Sequence, residues 1–424
     1  MKTWLIRGAK VVDPSQNLED TRDILIKDGK IQEIGTNIIG ENAEIIEANG
    51  LIVAPGLVDM HVHLREPGQT HKETVQTGCQ SAAAAGVTSL ACMPNTSPAC
   101  DSAAVVEEIL RKAAAAKARV YPVAAISTSL EGRKLTDFAA LQKAGAVALS
   151  DDGRPVPTAG MMAVAMERAA RLGMPVLSHC EEMTLVRGGI MHEGVVSEEL
   201  EVPGIHRGAE EVATAREIAL AAATGCPVHI CHVSTAGSVA LLRDARRRGV
   251  AVTGETAPHY FALTDECLRA RDADYRMNPP LRTEADRQAV IEGLRDGTLQ
   301  AIATDHAPHT PEEKADFLKA PNGAIGMETS LAAGLTYLVK PGHLSLMRLI
   351  ETMSTWPAKL LHIPAGTLRP GAAADLVLFD PDKEWTVDVQ KLHGKSRNCC
   401  FKGMTLTGQV LYTFLGGELV FSRG

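Results

Sequence analysis

Eight short apolar runs, spread through the middle of the chain and separated by longer amphipathic stretches, leave few folds open to it. They are VDMHVH (58–63), VTSLACM (87–93), RVYPVAAI (119–126), AVALSDD (146–152), PVLSHC (175–180), PVHICHV (227–233), VAVTGETA (250–257) and LQAIATDH (299–306). Most are followed by helix-like segments, such as AAVVEEILRKAAAAKA (103–118) and GSVALLRDARRR (237–248). Repeated strand–helix units imply a parallel sheet, and eight of them predict closure into a (β/α)8 barrel. An open doubly wound sheet is the alternative that the alternation alone leaves standing.

The two ends read differently. TWLIRGAKVVD, RDILIKDGKIQEIG and AEIIEANGLIVA are β-branched runs broken by Asp-Gly and Asn-Gly turn signals. The C-terminus returns to that style with ADLVLFD (374–380), EWTV (384–387) and GQVLYTFLGGELVF (408–421), the last divided at Gly416-Gly417. Residues 1–54 and 368–424 are therefore expected to pair into one composite β-rich domain, with the barrel spanning 55–367.

Composition narrows the class. With 45% hydrophobic and 22% charged residues, a chain of 424 residues can bury a large core. The net charge of −8 argues against a nucleic-acid binder or a basic membrane-surface protein. No apolar run approaches the roughly 18 residues of a membrane span, and MKTWLIRGAKVVDPSQ lacks the apolar stretch of a secretory signal. Nine cysteines without a CxxC pair suit neither a disulfide framework nor a thiolate zinc site. A cytoplasmic enzyme is expected.

Polar residues collect where the strands end. His61 and His63 close the first run, Asp151 and Asp152 the fourth, His179 the fifth, His232 the sixth and Asp305 the eighth. In such a barrel the site is built from the C-terminal strand ends and the loops after them. Strand alternation puts His61 and His63 on one side, with Asp59 in the same phase and so a candidate support for them. His229 is out of phase with His232 and is expected to face the helices, while His259 after the seventh run is a candidate for the barrel mouth. Imidazole and carboxylate without thiolate suit Zn²⁺ and similar first-row ions. Four histidines and two carboxylates exceed one tetrahedral site and match a pair of ions sharing a carboxylate and a hydroxide, the equipment of metal-assisted hydrolysis.

PGLVDMHVHLREPG (55–68), MPNTSP (93–98), SDDGRPV (150–156), MNPPLR (277–282) and ATDHAPHT (303–310) together resemble the motifs of type I dihydroorotases, in the amidohydrolase superfamily. The resemblance runs along nearly the whole chain. It implies reversible cyclisation of N-carbamoyl-L-aspartate to L-dihydroorotate, in pyrimidine synthesis. It makes His61, His63, Asp152, His179, His232 and Asp305 the ligands of two Zn²⁺ ions, with Asp305 also the general acid/base. Arg65, Asn95 and His309 resemble the residues that hold the substrate carboxylate, with Asn278 and the backbone of Asn322 and Gly323 as further substrate contacts. A homodimer, and aspartate carbamoyltransferase as a partner, belong to the same implication. Related readings are another cyclic amidase, of dihydropyrimidinase or allantoinase type, and a structural partner that has lost its ligands; here every ligand position is filled.

The sequence departs from the wider pattern in places. Many amidohydrolases bridge their metals with a carboxylated Lys on the fourth strand; here the run has none, and Asp152 takes that place as in the bacterial subgroup. Asp151, of opposite phase, is expected to be structural. In APNGAIGME (320–328) Asn322 stands where the family usually has an aromatic residue, which thins the apolar cover over the substrate. The polar stretch 306–322 is expected to act as a mobile lid.

Overall fold

The computed structural model describes residues 2–423. Each apolar run contains a strand: β1 (Leu57–Val62), β2 (Val87–Cys92), β3 (Arg119–Ala125), β4 (Ala148–Ser150), β5 (Leu177–Ser178), β6 (Val228–Ile230), β7 (Val252–Thr256) and β8 (Ala301–Ile302). β1–β4 form one parallel sheet in chain order and β5–β8 a second. Single parallel bridges, Leu149 to Val176 and Val62 to His306, join the two at both seams. The result is the closed (β/α)8 barrel that the alternation implied.

Local chemistry sets the helix limits. The helix Ala159–Leu172 starts at Thr158, whose side chain accepts from the Met161 N–H, and stops at Gly173, where φ is 66°. Thr235 and Thr283 cap the helices Ala236–Arg247 and Glu284–Arg295 in the same way. The stretch expected to be helical over 103–118 ends at Ala113, because the chain must extend again to enter β3 at Arg119.

Val58, Met60, Ala91, Met93, Val123, Ala148, Leu177, Cys231, Ala301 and Ala303 pack together inside the barrel. That filled lumen leaves the strand ends as the place for polar chemistry. Outward-facing Leu57, Val62, Leu90 and Val228 join the helices in a larger cluster.

The chain ends meet in one sheet. Leu376–Thr386 runs antiparallel to Ile52–Pro55, which in turn lies beside Trp4–Asp13. Trp4, Ile6, Ile24, Ile26, Val53, Leu376 and Phe414 form its core, with the Trp4 and Phe414 rings edge-on at 5.3 Å. The runs 374–380 and 384–387, read as separate strands, are one strand, Leu376–Thr386, whose pairing with Thr405–Leu415 shifts register between Asp380 and Glu384. An irregular pairing reads in sequence as a break, although the partner strand carries the ladder across it.

Candidate active site

At the C-terminal mouth of the barrel, nitrogen and oxygen donors from five strands converge. His179 Nδ1 lies 2.9 Å from His232 Nε2, and the two are 3.5 and 3.6 Å from Asp152 Oδ1. On the other side of Asp152, His61 Nε2 is 3.3 Å from Oδ1 and His63 Nε2 is 3.5 Å from Oδ2. Asp305 Oδ1 completes that side, 3.0 Å from His63 Nε2 and 3.7 Å from His61 Nε2. Four-coordinate zinc, with bonds of about 2.0–2.1 Å, holds its ligand atoms about 3.3 Å apart. His61 Nε2 and Asp152 Oδ1 are buried without a hydrogen-bond partner, as metal donors are before the ion is counted. The donor set, gathered around Asp152, therefore fits a borderline first-row metal.

Two of these donors depend on backbone that leaves the strand. His232 and Asp305 have φ of 34° and 48°, left-handed values that turn the chain just past β6 and β8. In β1 the register shifts between Asp59 and Val62, so Val58 and Met60 face the lumen and so do His61 and His63. Burial works against the charged form of Asp152, yet the facing His61, His179 and His232 imidazoles hold its carboxyl well below the ordinary range. Asp305 is held low as well, burial again opposing and the bond to His63 prevailing.

Beside the donors lies a cavity of about 230 Å³, lined by Arg65, Asn95, Asn278, His309, Asn322 and Gly323 together with the donors that face it. All the residues expected to contact substrate are thus in one place. Arg65 is buried, with Nε donating to the Pro308 carbonyl at 3.1 Å and Nη2 3.3 Å from His309 Nε2. Burial, then the Arg65, Lys72 and Lys314 cations, push the His309 imidazole down to about 3, so it is neutral at physiological pH. Asn95 Oδ1 lies 2.8 Å from His63 Nδ1. Gly323 has φ of 127°, and a Cβ there would sit 2.6 Å from the Ala307 Cβ; the backbone comes close to the site because no side chain intervenes. A larger cavity of about 720 Å³ lies at the other end of the barrel among Met174, Val176, Val228, Trp356 and Leu360. Its lining is mostly apolar and includes no carboxylate, so the chemistry belongs to the smaller one.

Several single-residue expectations change. Asp59 does not share the lumen with His61; it accepts from the Thr304 N–H at 3.0 Å and from the His61 N–H at 3.3 Å, because the register shift reverses its side. His229 does not face the helices. Its Nδ1 meets Thr253 Oγ1 at 2.8 Å and its Nε2 lies 3.3 Å from Glu255, since the turn at His232 breaks the phase relation between the two histidines. His259 is buried against Tyr260 and does not line the cavity. Asp151, by contrast, does face away as its phase implied, and accepts from the Ser127 N–H and hydroxyl. Within the 306–322 stretch Lys314 Nζ donates to the carbonyls of Pro321 at 2.9 Å and Gly323 at 3.0 Å, and Glu313 pairs with Lys72 at 3.0 Å. Arg276 Nη2 donates to the Asn322 side chain at 3.4 Å.

Sequence reasoning missed two buried carboxylates. Glu255 ends β7 and accepts from His61 Nδ1 at 2.8 Å; Glu181, two residues after His179, accepts from His179 Nε2 at 3.1 Å. Glu255 stands in a run already singled out and Glu181 one residue beyond another, and that position was the available signal. Cys231 lies near His61 and Glu255, but burial pushes its thiol up to about 12, so it is not a thiolate.

Comparison with known proteins places the chain among metal-dependent hydrolases. Residues 50–238 match the family described as Dihydro-orotase-like, and 206–421 match the Amidohydrolase family. The chain is 49% identical over 420 residues to the dihydroorotase of Citrifermentans bemidjiense, covering 98% of this chain and 99% of that one. It is 50% identical over 418 residues to the dihydroorotase of Acetivibrio thermocellus, covering 98% of both. Among solved structures, the L-hydantoinase (dihydropyrimidinase) from Arthrobacter aurescens superposes with a TM-score of 0.89 at 27% identity, covering 100% of this chain and 97% of that one. The dihydropyrimidinase from Brevibacillus agri gives 0.86 at 28% identity over 99% of this chain and 95% of that one.

Proposed function

We infer that the chain, which belongs to the dihydroorotase family of the amidohydrolase superfamily, catalyses the reversible cyclisation of N-carbamoyl-L-aspartate to L-dihydroorotate in pyrimidine synthesis. The observation that carries the substrate assignment is the buried Arg65 beside His309 and Asn95, a cationic pocket adjoining the His–Asp cluster. A planar guanidinium matches a carboxylate with two parallel charge-assisted bonds.

In this proposal His61, His63, His179, His232 and Asp305 would hold two Zn²⁺ ions, with Asp152 in place of a carboxylated Lys as the shared ligand. When bound, the ions supply polarisation of the scissile carbonyl and a water acidic enough to attack it at neutral pH. The chain's own part is positioning and proton transfer. Asp305, at the edge of the cavity, takes the proton of the attacking water and delivers it to the ring nitrogen as the amide bond breaks; in the cyclisation direction the transfer reverses. Arg65, Asn95 and His309 hold the carboxylate, and Asn278 with the backbone of Asn322 and Gly323 orients the ring. Neutral His309 offers a hydrogen bond without adding a second full charge.

The competing reading is a cyclic amidase of hydantoinase type, favoured by the structural neighbours at 27–28% identity. Against it stand relatives at 49–50% identity and the carboxylate pocket. The division into a composite small domain (1–54 and 368–424) and a barrel (55–367), a cytoplasmic location, a homodimer and an association with aspartate carbamoyltransferase belong to the same proposal. Among the described residues no helix is long and apolar enough to cross a membrane. The deciding experiment is turnover of L-dihydroorotate against dihydrouracil, hydantoin and allantoin, with metal analysis of the same sample. Preference for dihydroorotate with zinc near two per chain is expected; preference for an uncharged ring overturns the assignment.

A further inference from the structure

We propose that Glu181 is a positioning residue that turns the Asn278 amide so that its carbonyl oxygen, not its NH₂, faces the substrate, and thereby selects substrates with a free ring N–H. The proposal rests on the reading of Asn278 as a substrate contact.

The chain leaves β5 as His179-Cys180-Glu181. Cys180 is buried with the helices, while His179 and Glu181 turn together toward the mouth. Glu181 is 9% exposed, and one oxygen, Oε2, takes both of its hydrogen bonds. It accepts from His179 Nε2 at 3.1 Å and from Asn278 Nδ2 at 3.0 Å.

Atom types dictate the direction of the second bond. An amide nitrogen only donates, and a carboxylate oxygen accepts. The NH₂ end of Asn278 must therefore face Glu181, and the carbonyl end is left to the cavity that Asn278 lines. Without Glu181 the amide could rotate by half a turn and offer a donor instead. An acceptor at this place suits the N–H groups of a cyclic ureide and disfavours a ring alkylated at nitrogen, because a site built to bond an N–H leaves its own polar group unpaired when the N–H is missing. The same oxygen keeps the proton of His179 on Nε2, so Nδ1 presents its lone pair toward His232 and Asp152. One carboxylate thus aligns a metal-facing imidazole and a substrate-facing amide.

The test compares L-dihydroorotate with its derivatives methylated in turn at each ring nitrogen. The readout is the ratio of kcat/KM values, together with the ratio of dissociation constants measured by calorimetry on metal-depleted protein. One neutral hydrogen bond corresponds to up to about tenfold. Glu181→Leu and Asn278→Ala should each collapse the discrimination against one methylated isomer by about tenfold, and the double variant should lose no more than either alone. Glu181→Gln can accept both bonds through its amide oxygen and should stay within a few-fold of the parent. A merely structural Glu181, or one acting only through His179, would lower metal content or kcat and leave both ratios unchanged; that result overturns the proposal. Unchanged ratios with brisk dihydroorotate turnover sink this inference alone, whereas absence of dihydroorotate turnover in the metal-loaded parent sinks the functional reading and the inference with it.

Discussion

Glu255 accepts a hydrogen bond from Nδ1 of His61 at 2.8 Å, which commits the other ring nitrogen of His61 to face Asp152. Burial alone would raise the Glu255 carboxyl, but the neighbouring His229 and His61 imidazoles draw it down to about 2, so it stays an acceptor at any working pH. A carboxylate behind a metal-binding imidazole fixes its tautomer and orientation. Glu255→Ala should therefore weaken zinc affinity by about 10–100-fold, the range for lost outer-shell partners, measured by chelator competition. Unchanged affinity would mean that packing alone orients His61.

The Arg65 guanidinium is buried between Pro308 and His309. Arg65→Lys retains a positive charge but loses the fork, and should lower kcat/KM for dihydroorotate at least tenfold, mainly through KM. Near-parental kinetics would remove Arg65 from the carboxylate site.

Variants at Asp305 and His61 test the proposed catalyst against a proposed ligand. Asp305→Asn keeps its shape and an oxygen donor but loses the base, so it should retain much of its metal while turnover falls by about 10²–10⁴-fold. His61→Ala should lose metal and activity together. Turnover of Asp305→Asn within a few-fold of the parent would exclude the acid/base role.

Asp152 stands between both groups of donors, and no lysine ends β4. A carboxylated lysine needs captured CO₂, whereas an aspartate does not. Activity recovered on adding zinc to metal-free protein should be the same with and without bicarbonate. A bicarbonate requirement would transfer the bridging role to a lysine.

Lys314 is buried and donates to the Pro321 and Gly323 carbonyls, and burial draws its ammonium from 10.5 down to about 8. Between pH 8 and 10.5 the unfolded chain holds a proton that the folded chain has released, so stability rises with pH through that window. The unfolding free energy of the parent relative to Lys314→Met should therefore increase by on the order of 3 kcal/mol from pH 8 to 10.5, at about 1.4 kcal/mol per pH unit. Denaturant unfolding across that range checks it; a constant difference would mean that Lys314 titrates as a solvated lysine.

The barrel was legible because its signals are local. Each run holds enough apolar residues to be buried on both faces, helices such as those after Thr158, Thr235 and Thr283 start at a residue that caps them, and the closing polar residues all fall at the same end of their strands. The donors gathered around Asp152 were legible for the same reason: a parallel barrel brings every strand terminus to one mouth, whatever the sequence distance between them.

What the sequence could not determine lies where strand alternation breaks. The register shift after Asp59 puts Met60 and His61 on the same side, and the left-handed turns at His232 and Asp305 aim those side chains inward; none follows from counting by twos. The partners of the ligands were hidden as well. Glu255 meets His61, Glu181 meets Asn278 and Arg276 meets Asn322 only because strands and loops far apart in the chain are brought to one mouth. Periodicity reports which residues must leave water, since that requirement acts on each segment separately. Which buried polar atom satisfies which depends on the closed ring of strands, and tertiary structure alone decides it.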